Sequence, residues 1–129
     1  MQTAKEPRIA KDLVAASAIP LVLAILDEGE SYGYAILKRI DELSGGEMEW
    51  TDGMLYPLLH RLDRLGYVEA RWDETEGNRR RRYYAITPQG RDALSEQRRQ
   101  WAVVSSALHK AWRSFPGDFS VLHAVEGRR

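Results

Sequence analysis

Between residues 53 and 65, leucine falls at positions 55, 58, 59, 62 and 65. Steps of three and four place all five on one arc of a helix that turns about 100° per residue, and that arc must face a core. The opposite side carries Gly53, Pro57, His60 and Arg64, flanked by Tyr56 and Arg61. Thr51 stands where it can cap this helix and Gly66 where it can close it. Directly afterwards the period drops to two. Residues 67–72 and 79–86 read as strands joined by Asp-Glu-Thr-Glu-Gly-Asn, whose Gly77–Asn78 suits a turn with positive backbone angles. Alternation puts Arg80, Arg82, Tyr84 and Ile86 on one strand face and Arg79, Arg81 and Tyr83 on the other. With Tyr84 and Ile86 packing inward, the arginines nearest the turn are expected to project past the core into solvent.

Upstream, residues 1–16 read as an arm or a short helix. Ser17 is placed to cap the next helix, with Pro20 tolerated in its first turn. That helix is apolar on nearly every side, which predicts a central position. Ser31 is placed to cap a second helix whose Ile36, Ile40 and Leu43 share a face and which Gly45–Gly46 ends. Residues 47–50 form a candidate short strand. Thr87–Pro88 starts a fourth helix, and nothing breaks it before Pro116. The pattern predicts a mainly α, α+β fold. It is a winged helix-turn-helix domain over 17–87 with a two- to three-stranded wing, a long C-terminal helix over 88–115 and a loose tail over 116–129.

The formal charge is zero, with 19 basic and 19 acidic residues, so nothing global argues for nucleic acid. The distribution does. Residues 1–52 carry five Lys/Arg against ten Asp/Glu, whereas residues 53–113 carry twelve against seven. Four of the twelve are the consecutive Arg79, Arg80, Arg81 and Arg82, a concentration suited to phosphates or a narrow minor groove. On the preceding helix, Gly53 and Pro57 allow close approach to a groove, Arg61 and Arg64 can reach phosphates or guanine edges, and His60 can donate or accept. Thr51 and Tyr56 complete the candidate DNA-binding set.

Other chemistries find little support. Cysteine is absent, which excludes disulfides, thiolate metal sites and a Cys nucleophile. His60, His109 and His123 lack ligand spacing, and no Gly-rich phosphate loop or nucleophile elbow occurs. No enzymatic activity, cofactor or metal is expected. The longest apolar run, residues 18–26, falls far short of the roughly 20 residues a bilayer requires. The polar start reads as no signal peptide, so a cytoplasmic location without membrane association is expected.

The fourth helix carries a heptad stripe. Leu94, Trp101, Leu108 and Phe115 recur every seven residues, with Gln97, Val104 and Ala111 at the intervening seam positions. A stripe this long on so small a domain calls for a partner, and a second copy is the simplest one. Twofold pairing would set two groove-entering helices about 34 Å apart, which implies a pseudo-palindromic operator. Trp50 and Trp112 read as packing residues. The competing reading is a winged-helix module that uses the same surface for protein contacts and has no effector response.

With these residues in view, the chain resembles the PadR family of winged-helix transcriptional regulators. The resemblance rests on SYGYAILKRI at 31–40, DGMLYPLLHRLDRLGYVEA at 52–70 and R-x-R-x-YYAIT-x-x-G at 79–90, and covers residues 18–95. It implies a homodimeric repressor of double-stranded DNA, released by a small aromatic or cationic effector. By motif position Tyr56, Pro57 and His60 match the family's recognition helix, and Arg79 and Arg81 its wing. In some relatives the tryptophan matching Trp101 sandwiches a flat ligand, which implies an effector site lined by Trp101, Val104, Ser105 and Leu108. Arg80 departs from the family, which often has proline there, and the residues after Pro116 have no counterpart in it.

Overall fold

An unusually apolar helix runs through the middle of the N-terminal part of the protein. In the computed structural model, which describes residues 9–74 and 80–113, α1 spans Lys11–Asp27 and buries Val14, Val22, Leu23, Ile25 and Leu26. The expected break at Ser17 does not occur. The Ser17 hydroxyl donates back to the Leu13 carbonyl at 2.7 Å instead of capping a new helix. Pro20 therefore sits inside a continuous helix, at the cost of the bond its missing N–H would have given the Ala16 carbonyl. Burial of the surrounding apolar side chains outweighs that loss.

After α1 come β1 (Ser31–Tyr32), α2 (Gly33–Ser44), α3 (Asp52–Arg64), β2 (Val68–Glu74), β3 (Arg80–Ile86) and α4 (Pro88–Trp112). The three strands form an antiparallel sheet of order β1-β3-β2. The third strand is not the one expected. Residues 47–50 are irregular, and Ser31 is not a cap but a strand residue paired with Tyr84. The outer edge of β3 is open to pairing, and the chain entering α2 fills it.

Both helices of the helix-turn-helix end in the same way. The amide of Gly46 donates to the Asp41 carbonyl and that of Gly45 to Glu42, with Gly45 left-handed at φ 61°. At the end of α3, Tyr67 donates to Leu62 and Gly66 to Asp63, with Gly66 at φ 81°. These paired bonds satisfy carbonyls that a helix end otherwise leaves orphaned, and glycine adopts the reversed backbone without a Cβ penalty. On α3, Leu55, Leu59 and Leu62 are fully buried and Leu58 is half-buried, but Leu65 is 46 % exposed. Leu65 lies on the C-cap, where the chain has already left the arc. Leu43, expected on the core face of α2, is likewise exposed, one residue before that helix ends. Truncating any of the three buried leucines to Ala costs about 2–5 kcal/mol.

The core joins α1, α2, α3 and the inner face of the sheet through Leu26, Ile36, Ile40, Leu59, Val68 and Tyr84, among others. Bidentate Arg39–Glu28 contacts at 3.0 Å tie α2 to the end of α1, and Arg91 reaches Asp27 at 3.2 Å. These pairs are exposed, so each is worth about 0–1 kcal/mol.

Thr87 links the wing to α4. Its hydroxyl accepts the Gly90 amide at 3.0 Å, capping the helix, and donates to the Gly66 carbonyl at 2.6 Å. A β-carbon on Gly90 would overlap the Tyr67 carbonyl oxygen and lie 2.7 Å from Ile86 Cγ1. The chain divides into two compact units, 1–94 and 95–129. Leu94, expected on a dimer seam, belongs to the core of the first unit and is 2 % exposed. In the second unit the α4 residues Val103, Val104, Leu108 and Trp112 are exposed, Trp101 is half-buried and His109 is buried.

Candidate nucleic-acid interface

The amphipathic pattern of α3 leaves one face to solvent. Gly53, Pro57, His60, Arg61 and Arg64 are all exposed, opposite Leu55, Leu59 and Leu62. Thr51 is the N-cap residue and is exposed. Its carbonyl accepts the amides of Met54 and Leu55, whereas its side chain makes no capping bond. Pro57 is the sixth helical residue and so lies in the second turn. Lacking an amide proton, it leaves the Gly53 carbonyl without the usual helical donor, on the face that carries the exposed set.

Tyr56 is only partly available to a ligand. It is 38 % exposed, and its hydroxyl occupies the space that a side chain at Gly33 would need. Partial burial, then the nearby Asp52 carboxylate and Tyr84, raise its pKa above the usual tyrosine value of 10.0. The sequence offered Tyr56 as part of the DNA-binding set, and its exposed part stays on that side of α3. The structure adds a packing contact between α2 and α3, through its hydroxyl at Gly33.

A mostly apolar cleft of ≈ 720 Å³ opens beside this helix, lined by Val14, Ala15, Ala18, Trp50 and Met54, among others, and by Pro57 and Arg61. Trp50 packs against the core, and its buried indole nitrogen has no hydrogen-bond partner among the described residues. Pro57 and Arg61 therefore border both the exposed α3 face and the cleft.

The hairpin register pairs Val68 with Ile86, Ala70 with Tyr84, Trp72 with Arg82 and Glu74 with Arg80. Its inner face is thus apolar where it meets the core and becomes arginine and tryptophan beyond it. The expected division of faces holds for Arg80, Arg82, Tyr84 and Ile86. Arg80 is exposed as expected, and the described arginines of the wing also stack on aromatic rings. Arg80 and Arg82 lie 4.5 and 5.1 Å from the Trp72 ring centroid. On the other face Arg81 lies 4.2 Å from the Tyr32 ring, which meets Tyr83 edge-on at 5.4 Å. Arg71 stacks 4.9 Å from Tyr83 and donates from Nε and Nη2 to the two carboxylate oxygens of Glu30, lowering the Glu30 pKa through that hydrogen bonding. Each guanidinium is drawn to the negative face of an aromatic ring. Arg79, the Gly77–Asn78 turn and Phe115 lie outside the described residues.

The sequence reading missed Trp72, Tyr32 and Arg71. For Arg71 and Trp72 the signal was present as alternation in residues 67–72, but their partners required the β2–β3 register, and Tyr32 required the pairing of β1 with β3. That β2 continues to Glu74 was equally invisible, because Asp73 and Glu74 look like turn residues.

A helix-turn-helix whose exposed second helix stands beside an arginine-bearing antiparallel hairpin defines the winged-helix class of DNA-binding regulators. The model of the transcriptional regulator PadR-like family matches residues 22–96, and the chain belongs to that family. It is similar to a transcriptional regulator from Clostridium thermocellum, with 29 % identity and TM-score 0.71 over 78 % of this chain and 97 % of the other. A PadR family regulator from Eggerthella lenta is 32 % identical, with TM-score 0.67 over 81 % of this chain and 88 % of the other. The transcriptional regulator YqjI of Escherichia coli (strain K12) is 31 % identical over 68 % of this chain, which spans 41 % of the length of YqjI. The protein is accordingly a DNA-binding transcriptional regulator and not an enzyme. Among the described residues no helix is long and apolar enough to cross a membrane.

Proposed function

We propose that this regulator is a cytoplasmic homodimeric repressor that binds a pseudo-palindromic operator and leaves it when a small aromatic or cationic effector binds. The observation that carries the reading is the exposed α3 face of Gly53, Pro57, His60, Arg61 and Arg64, set against the buried leucines and followed directly by the arginine hairpin. In this reading α3 enters the major groove with Thr51 and Tyr56 at its margin. Arg79, Arg80, Arg81 and Arg82 hold the flanking backbone.

Pairing of two copies is supported by the exposed Val104 and Leu108 and by Trp101, which recur at seam spacing on α4 with Ala111. Burial of Leu94 moves the start of that seam to Trp101. The effector site is assigned to Trp101, Val104, Ser105 and Leu108, where the mate of each would lie close across a twofold axis. A flat aromatic ligand can stack on an indole there, and a cationic one gains from the ring's negative face.

Binding of the purified protein to its own upstream intergenic duplex and to a scrambled duplex, at two salt concentrations, tests the reading. Selective binding that weakens steeply with salt is expected, because neutralised phosphates release counterions. Failure on both duplexes at low salt would replace operator binding with a protein-contact role for the same surface.

A further inference from the structure

We propose that Trp72 is a positioning residue of the wing, holding Arg80 and Arg82 in the orientation in which they meet DNA phosphates. The inference rests on the DNA-binding reading of the hairpin. Trp72 sits directly opposite Arg82 in the β2–β3 register, and Arg80 is the next residue outward on the same face. Both guanidinium carbons lie within 5.1 Å of its ring centroid. Trp72 is 51 % exposed, and Tyr84 rather than Trp72 is the aromatic residue of this sheet face that is buried in the core. Trp72 is therefore not an anchor of the core, and the two stacked guanidiniums are its cation contacts on this face.

Two guanidiniums on one strand face repel each other and are flexible, and each loses rotamer freedom on contacting a phosphate. A shared indole offsets the repulsion and restricts the rotamers before DNA arrives. The Glu74 carboxylate, 3.9 Å from Arg80, is a longer and exposed contact that contributes less. Arg82 also lies 6.0 Å from the Tyr84 ring, which leaves Trp72 as its nearer aromatic neighbour.

The test compares the unaltered protein with Trp72→Leu and Trp72→Phe in two measurements. The first is binding to specific and scrambled duplexes across a salt series. Trp72→Leu is expected to lose about 3- to 10-fold in affinity on both duplexes, as the competent rotamers become less populated. The salt slope is expected to stay unchanged, since no phosphate-binding charge is removed. Trp72→Phe is expected to keep most of the affinity, and thermal midpoints are expected to match. The second measurement needs no DNA: NMR of the Arg80 and Arg82 Nε–Hε groups, expected to be ring-shifted and ordered in the parent and averaged in Trp72→Leu. Equal affinity for Trp72→Leu and the parent would overturn the proposal, as would losses as large for Trp72→Phe as for Trp72→Leu. Unshifted, averaged arginine signals in the parent would overturn it too. If the parent itself bound neither duplex, the DNA reading would fall while the arginine signals still judged the role of Trp72.

Discussion

The Tyr56 hydroxyl lies where a β-carbon on residue 33 would have to be. Glycine at the start of α2 therefore lets the ring from α3 lie flush against it, and this contact helps set how the two helices of the helix-turn-helix meet. It joins two motifs that sit far apart in the chain, the Tyr-Gly-Tyr of residues 32–34 and the Leu-Tyr-Pro of residues 55–57.

Gly33→Ala is therefore expected to destabilise the protein by about 1–3 kcal/mol, the usual range for overpacking. Combining it with Tyr56→Phe should recover part of the loss, because the hydroxyl is the nearest clashing atom. Urea denaturation of the two single variants and the double variant measures the coupling, and strictly additive losses would exclude the contact as the cause.

The raised Tyr56 pKa gives the same residue a pH signature. The unfolded chain loses this proton first, so the associated stability is fully present below the unfolded pKa, near 10. It is lost as pH rises through the folded pKa. Tyr56→Phe is expected to flatten the alkaline fall in stability, read from denaturant midpoints between neutral and strongly alkaline pH. An unchanged alkaline limb would remove Tyr56 from the account.

Thr87 caps α4 and donates to Gly66 at the end of α3, so its hydroxyl supports the junction of three elements. Thr87→Val is expected to cost about 1–3 kcal/mol through loss of the cap and of a donor to a partly buried carbonyl. Thr87→Ser should retain most of the stability. Equal denaturation midpoints for Val and Thr at this position would show the hydroxyl to be dispensable.

Division of labour on DNA is testable by pairing variants. Arg79→Ala with Arg81→Ala is expected to weaken binding to every duplex and to reduce the salt slope by about one for each phosphate no longer neutralised. His60→Ala is expected to reduce discrimination between operator and random sequence with little change in slope. The same loss on both duplexes for all of these variants would contradict base reading by α3.

Exposed Leu108 and Val104 lie on the proposed seam of α4. Leu108→Glu would place a carboxylate across from its mate, and sedimentation is expected to shift from dimer to monomer. Operator affinity should fall with it, while circular dichroism keeps the helical signal. A dimer that persisted unchanged would move the pairing surface elsewhere.

The elements that could be read in one dimension were those with a local cause. The leucine spacing of α3, the glycines that end α2 and α3, and the Thr-Pro start of α4 each act within a few residues, and the structure has all of them. The residue motifs carried the family in the same way, because they encode these local features together. Boundaries failed where a distant neighbour outweighed the local signal. Ser17 resembles a cap, yet core burial on both sides keeps α1 intact through Pro20. Ser31 also resembles a cap, but the open edge of β3 claims it as a strand. Leu94 fits a heptad, but it packs in the core of the first unit.

The wing marks the same division. Alternation alone assigned Arg80, Arg82, Tyr84 and Ile86 to one face, since the side-chain period of a strand is a property of the backbone. What each arginine touches depends on the strand across from it. Register, a relation between residues distant in sequence, places Trp72 beside two arginines and Tyr32 beside a third. The charge of the wing was thus legible in the chain, whereas its orientation came from tertiary pairing.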